Sequence, residues 1–340
     1  MTRISVEVGK KGAPVPFGVH LNTPGSVVIV LPEDPLDALI SVPVLLGFVS
    51  RFAKADVSLL CTETVAPFFK EVNGVSRVLT YVVERDFYFS RVRRQLVSEL
   101  VSLRSGLWLY LEQFPGPILT YLSVAAEPAI RAGRNDSELR NTLLNLSVLP
   151  TDDGQTGIER YRCLTGFFAV KVPDTVQWKT TKEAVAQVRH VLGENGISSD
   201  TKPAGIDVIH LGTQFGRDWT ASLVNELVDS FPGLGWYAWS ESVPNEEWRE
   251  WLGILKIPVI IGLSASATAA LVTTSTVFLS GKTCLYQISL LMGRPAIGLF
   301  SAGESPFCAP GAENRCLILP GKPDEQSVGD ILRLCASTVQ

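Results

Sequence analysis

A chain of 340 residues exceeds what one ordinary hydrophobic core organises, so two domains of about 150–170 residues each are expected. Hydrophobic residues make up 46% and mean hydropathy is +0.22, the profile of a well-buried globular protein. A formal net charge of −4 argues against a nucleic-acid surface, and no apolar run reaches the ~18–20 residues of a membrane span.

The opening stretch MTRISVEVGKKGAPVPFG lacks the apolar core of a signal peptide, so a cytosolic chain is expected. Cys61, Cys163, Cys284, Cys308, Cys316 and Cys335 are scattered without a CxxC pair. They read as buried free thiols rather than as disulfides or a zinc site. His20, His190 and His210 show no metal-ligand spacing.

Strand and helix patterns then alternate. SVVIVL at Ser26–Leu31 is a continuous apolar, β-branched run, which reads as a strand buried on both faces. A helix is expected over about 34–53, a strand at 57–61, a helix over 64–73 and a short strand at 78–81. A longer helix over 87–103 leads to the strand LWLYL at 107–111. Repeated βα units of this kind build a parallel sheet flanked by helices.

Residues 134–173 are less regular, with the polar turn PTDDGQTG and a helix expected over 159–169. KVPDTVQWKTTKE reads as a linker. A second alternating series follows, with strands expected at 207–211, 236–239, 258–261, 276–279, 296–300 and 316–319. Helices are expected over 219–230, 245–253, 265–273, 283–292 and 324–336. The organisation is therefore a first domain over 1–173, a linker over 174–185 and a second domain over 186–323. A terminal helix at 324–340 is expected to pack back toward the first domain. The fold class is α/β, two Rossmann-like, doubly wound parallel-sheet domains facing a cleft.

Ligands of such sheets bind beyond the carboxyl ends of strands, which selects three stretches. PEDPLDALISVP carries Glu33, Asp34 and Asp37 near a helix start. Asp34 before Pro35 suits an N-cap, whereas Asp37 is only partly explained that way. HLGTQFGRDWTA places Gly212, Thr213 and Gly216 in an expected loop, with Arg217 opening the next helix. A guanidinium beside free N–H groups suits a phosphate. SGKTCLYQ carries near its start the Gly-Lys-Thr that ends a P-loop motif, but Thr276 stands where that motif needs its first glycine. Lys282 at a helix start still makes this turn anion-friendly.

These positions resemble glycosyltransferase family 9, whose best-known members are the bacterial lipopolysaccharide heptosyltransferases. The resemblance runs from about residue 25 onward and rests on three blocks. SVVIVLPEDPLDALISVPVLLGFVSRFAKADVSLLC looks like the family's opening strand and acidic turn, with Asp37 six residues before Pro43 and Leu36 replacing a glycine. IRAG at Ile130–Gly133 is similar to an Arg-bearing turn of a later strand. IHLGTQFGRDWTASLVNELV is similar to a second block, with Arg217 for Lys, Trp219 matching and Thr220 for Pro. LVTTSTVFLSGKTCLYQISLLMGRPAIGLFS is similar to the donor block. There Lys282, Thr283, Cys284 and Gln287 stand for Asp, Thr, Gly and His.

The resemblance implies a two-domain GT-B fold and an inverting, metal-independent transfer of a heptose or other sugar from a nucleotide-diphosphate donor. Asp37 would be the general base and Arg217 would offset charge on the leaving diphosphate. Thr213, Lys282, Thr283, Gln287 and either Glu241 or Glu246 would hold the donor. No cofactor is implied. The implied partners are the nucleotide sugar, a glycan or lipid-linked acceptor of lipopolysaccharide type, and the inner membrane through the basic stretch Phe87–Arg104. Lys282 reverses the charge expected at the donor sugar. It points either to a different donor or to a lapsed enzyme that serves as a binding or scaffold module. Sugar-nucleotide epimerases and small-molecule binding proteins use similar two-domain folds.

Overall fold

The structure is a computed structural model that describes residues 4–6, 21, 23–70, 72–83, 90–113, 115–134, 143–149, 157–173, 176, 180–198, 200–240, 245–255, 257–301, 304, 316–320 and 323–339. The chain divides into two compact units, Met1–Asp174 and Thr175–Gln340.

The first unit runs β1 (Ile4–Val6), β2 (Ser26–Val30), α1 (Pro35–Ile40), α2 (Val42–Arg51), β3 (Asp56–Thr62), β4 (Arg77–Tyr81), α3 (Arg91–Ser102), β5 (Leu107–Tyr110), α4 (Pro117–Ala126), β6 (Ile130–Arg134), β7 (Leu146–Val148) and α5 (Arg162–Phe167). Its sheet has the order β1-β7-β6-β5-β2-β3-β4, parallel except for β1 on β7. All five residues of β2 are buried, because strands on both sides and helices on both faces leave no polar surface for it. The apolar run that announced it is thus an inner strand of the sheet.

The expected helix over 34–53 is two helices. Asp34 caps α1, its carboxylate accepting the Asp37 N–H at 2.9 Å, and Ser41 ends it. Pro43 sits in the first turn of α2, where a missing N–H costs nothing. The expected helix over 64–73 shrinks to a 3-10 turn at Ala66–Phe68, with Pro67 near its start and Gly74 in a left-handed conformation (φ 83°) shortly after. The expected helix over 159–169 divides into a 3-10 turn at Gly157–Tyr161 and α5.

The second unit runs α6 (Lys182–Glu194), β8 (Lys202–Ile206), α7 (Val208–Phe215), α8 (Arg217–Ser230), β9 (Leu234–Ser240), α9 (Glu246–Ile254), β10 (Val259–Ile261), α10 (Ala265–Thr274), β11 (Val277–Ser280), α11 (Cys284–Leu291), β12 (Ala296–Ser301), β13 (Cys316–Leu319) and α12 (Glu325–Val339). Its six strands are parallel in the order β10-β9-β8-β11-β12-β13. Both units are α/β sheets flanked by helices, as expected. The terminal helix α12 seats Ile331 and Cys335 in the second unit's own core with Leu223, Leu227 and Leu279.

One expectation is overturned outright. The strand placed at 207–211 is the start of α7, and β8 lies five residues upstream. Asp207 caps that helix by accepting the His210 N–H at 3.2 Å, which turns the β-branched run Val208–Ile209 helical. Gly216, at φ 98°, then separates α7 from α8. Among the described residues no cysteine forms a disulfide, but only Cys61 and Cys335 are buried; Cys163, Cys284 and Cys316 are partly exposed, and Cys308 lies outside the described residues.

Candidate functional site

In each sheet the chain reverses its direction of winding at one point, between β2 and β5 in the first unit and between β8 and β11 in the second. Crevices at the carboxyl ends of such strand pairs are where doubly wound sheets bind ligands.

At the first of these points, Glu33 follows β2 and Glu112 follows β5. The Glu112 carboxylate accepts the Glu33 N–H at 2.7 Å, and the Tyr81 hydroxyl at the end of β4 donates to Glu33 Oε1 at 3.0 Å. The Gly116 backbone also hydrogen-bonds the Glu33 carboxylate. A side chain at Gly116 would crowd that carboxylate, its β-carbon falling 3.2 Å from Oε1. Partial burial raises the Glu33 pKa, Glu112 adds to the rise, and the Tyr81 and Gly116 hydrogen bonds oppose it.

Asp37 lies on α1, one turn beyond its cap. Its Oδ1 meets Arg160 Nη2 at 3.1 Å, and the same guanidinium reaches the Asp37 carbonyl at 3.4 Å. Arg160 is nearly buried, resting on the Tyr161 ring, while Asp37 keeps 41% of its side chain exposed. Arg134 at the end of β6 donates to the Arg160 carbonyl at 2.8 Å. The IRAG stretch is strand β6 rather than a turn, and its Arg131 donates to the Leu143 carbonyl at 2.6 Å; the support for Arg160 comes from Arg134, one residue beyond it.

At the second point, buried Asp207 follows β8. Its Oδ2 accepts the Ser280 hydroxyl at 3.2 Å, and Ser280 shares a 2.7 Å hydrogen bond with Thr283. Thr283 caps α11 by accepting the Tyr286 N–H at 3.3 Å. The Gly281-Lys282-Thr283 turn is thus a capped helix start. Lys282 lies half-buried within it, and Gln287 is buried (7% exposed) on the first turns of α11.

Thr213 is not in a loop. It sits on α7 with its hydroxyl bonded to the Ile209 carbonyl at 2.8 Å, the ordinary back-bond of a helical threonine. Arg217 does open α8, but its guanidinium lies 4.1 Å above the Trp248 ring and pairs with Glu247 at 2.8 Å, both on α9. Glu246 is an exposed residue in the first turn of α9, and Glu241 lies outside the described residues.

Sequence reading named Glu33 without assigning it a role and missed Glu112, Tyr81, Arg160 and Asp207 altogether. Glu112 directly follows LWLYL, so the strand-end rule could have found it. Arg160 carries no local signal, since 123 residues separate it from Asp37.

No protein-family model matches the sequence, and no curated protein does either. Solved structures do. A glycosyltransferase of family 9 from Veillonella parvula superposes with a TM-score of 0.73 at 10% identity, covering 93% of this chain and 97% of that one. ADP-heptose lipopolysaccharide heptosyltransferase II of E. coli gives 0.72 at 16%, covering 92% and 98%. The fold is that of family 9 structures. A putative UDP-N-acetylglucosamine 2-epimerase from Listeria monocytogenes gives 0.55 at 13%, covering 93% and 90%. The family 9 fold therefore spans both units of this chain, and the wider GT-B likeness extends to an epimerase. Among the described residues no helix is long and apolar enough to cross a membrane.

Proposed function

We propose that this chain is an inverting, metal-independent glycosyltransferase that moves a sugar from a nucleotide-diphosphate donor to a glycan acceptor of the cell surface. The observation that carries the reading is the end-to-end likeness to ADP-heptose heptosyltransferase II over 92% of this chain and 98% of that one. Asp37 occupies the strand-end helix of the first unit with its carboxylate oriented by Arg160 and open to solvent on one side.

In this reading an acceptor hydroxyl gives its proton to Asp37. The freed oxygen bonds the anomeric carbon as the bond to the diphosphate oxygen breaks, and the nucleotide diphosphate leaves with that electron pair. Lys282 and the α11 N-terminus, with Thr283 and Gln287, lie on the donor side, and Lys282 supplies positive charge for the diphosphate or for an acidic donor sugar. Arg217 assists only if it leaves Trp248 and Glu247. A lipid-linked acceptor of lipopolysaccharide type would bring α3, with Arg91, Arg93 and Arg94, to the cytoplasmic membrane face.

A second reading has its own observation. Both strand-end crevices are laced by internal hydrogen bonds, Glu112 to Glu33 and Ser280 to Asp207. A lapsed enzyme acting as a binding or scaffold module would tolerate such closure. One experiment separates the readings: thermal shift with ADP, UDP, GDP and CMP, followed by product assay with the matching nucleotide sugar in the presence of EDTA. Nucleotide-dependent stabilisation with EDTA-resistant transfer supports the enzyme. Stabilisation without transfer to any acceptor supports the scaffold, and no response to any nucleotide rejects donor binding.

A further inference from the structure

Three side chains with no role above converge at the winding reversal of the second unit. His210 and Gln214 stand one turn apart on α7, and Glu304 follows β12. His210 Nε2 and Gln214 Oε1 are both buried over the α-carbon of Gly281, where an added β-carbon would overlap the imidazole ring. The Gln214 amide donates to Glu304, and the same Glu304 oxygen accepts the Ser301 N–H at 3.0 Å. The segments after β8 and β12 are thereby joined by the Gln214–Glu304 hydrogen bond, and the imidazole packs on the turn after β11.

The absence of a side chain at Gly281 is what admits the imidazole against the turn. The charged groups around it are Glu304 through Gln214, Asp207 at the cap of its own helix, and Lys282 beside Gly281. Burial lowers the His210 pKa below its ordinary 6.5, and Glu304 works in the opposite direction. The ring is therefore neutral at pH 7 in the unliganded protein.

We propose that His210 is a positioning residue for the Gly281–Thr283 turn, and that it takes up a proton when a nucleoside diphosphate binds there. The inference rests on the transferase reading, which places a diphosphate at this turn. A diphosphate adds negative charge beside a ring that burial alone keeps neutral, so the imidazolium becomes the favoured form. Glu304, held by Gln214, stabilises that cation through space. Binding and protonation are then linked: affinity rises as pH falls from the pKa of the bound state toward that of the free state. For one proton the limit is about tenfold per pH unit.

The test is calorimetric titration of the intact protein with ADP, with UDP and GDP in parallel, at pH 6.5 in two buffers of unlike ionisation heat. Proton uptake in the wild type, abolished in His210→Gln with ADP still bound, is the expected result. A merely structural histidine would lower affinity without changing the proton count. The intact protein gives a second readout that needs no variant at the site. It has three histidines, His20, His190 and His210, so substituting His20 and His190 assigns the remaining imidazole signal by NMR. That signal should titrate at higher pH with ADP than without. Binding with no proton uptake and an unmoved signal overturns this inference and leaves the transferase reading standing. Equal uptake in His210→Gln overturns it as well. Failure of all three nucleotides to bind overturns both.

Discussion

The Arg160 guanidinium clamps Asp37 twice, at the carboxylate (3.1 Å) and at the carbonyl of the same residue (3.4 Å). A side chain held at both ends of its own residue cannot swing, so the carboxylate is presented in one orientation. Asp37→Asn should lower transfer by about 10²–10⁴-fold, the usual worth of a general base, with nucleotide affinity unchanged. It should cost only about 1 kcal/mol of stability, because Asp37 is solvent-screened. Arg160→Met should lower kcat as well, through disorder of Asp37. Steady-state kinetics beside nucleotide titration measures both, and loss of nucleotide binding in Asp37→Asn would make the residue structural.

Glu33 gives a pH-dependent stability. Its folded pKa is raised above the ordinary 4.5, so the folded state holds the proton more tightly than the unfolded chain does. The resulting stabilisation is complete below 4.5 and is lost as pH rises through the raised value. Glu33→Gln stays neutral throughout and keeps an oxygen for the Tyr81 hydroxyl. Its stability relative to wild type should therefore increase from pH 4.5 to pH 7.5 in urea unfolding. A constant difference across that range would contradict the assignment.

Asp207 joins a helix cap to a neighbouring strand end. Asp207→Ala removes the acceptor of the His210 N–H and leaves the buried Ser280 hydroxyl with one partner fewer. A loss of about 1–2 kcal/mol is expected. Asp207→Asn should recover part of it, because its amide oxygen can still cap α7. Chemical denaturation followed by circular dichroism reads both variants.

Arg217 and Trp248 should be energetically coupled. In a double-mutant cycle with Arg217→Met and Trp248→Leu, the interaction should amount to about 1 kcal/mol, part cation–π and part packing. Additive single effects would show that the stack contributes nothing. If Arg217 also meets a diphosphate, saturating ADP should reduce this coupling.

The strands were legible where sequence and burial agree. β2, β3 and β5 are apolar runs because they lie inside a parallel sheet, and neighbours on both sides remove any need for alternation. β8 was not legible, since KPAGI contains a proline and a glycine, while the more strand-like DVIHL beside it is helical. There the Asp207 side chain outweighs β-propensity, a one-residue effect that periodicity cannot see. Pro67 and Gly74 similarly shortened a helix that the apolar pattern suggested. β1, β7, α4 and α6 passed unnoticed; β1 and β7 are three residues each, and α6 begins inside the stretch read as a linker. At the candidate site, Asp37 and Thr283 were named through the spacing of the resemblance, and the strand-end rule led to the turns after β2 and β11 but misplaced Thr213, which is helical. Arg160, which pairs with Asp37, and Asp207, which reaches Thr283 only through Ser280, depend on which segments the fold brings together, information that no local stretch of sequence carries.

The stack of Arg217 on Trp248 has an optical consequence. Of the seven tryptophans, Trp108 alone belongs to the first unit, and Trp178, Trp219, Trp236, Trp239, Trp248 and Trp251 belong to the second. Intrinsic emission excited at the indole band is therefore a nearly exclusive monitor of the second unit. Trp248 is the fluorophore whose surroundings change if the guanidinium above it is drawn away. The molecule carries an unlabelled sensor on the unit proposed to take the nucleotide, and a Trp248→Phe variant supplies its blank.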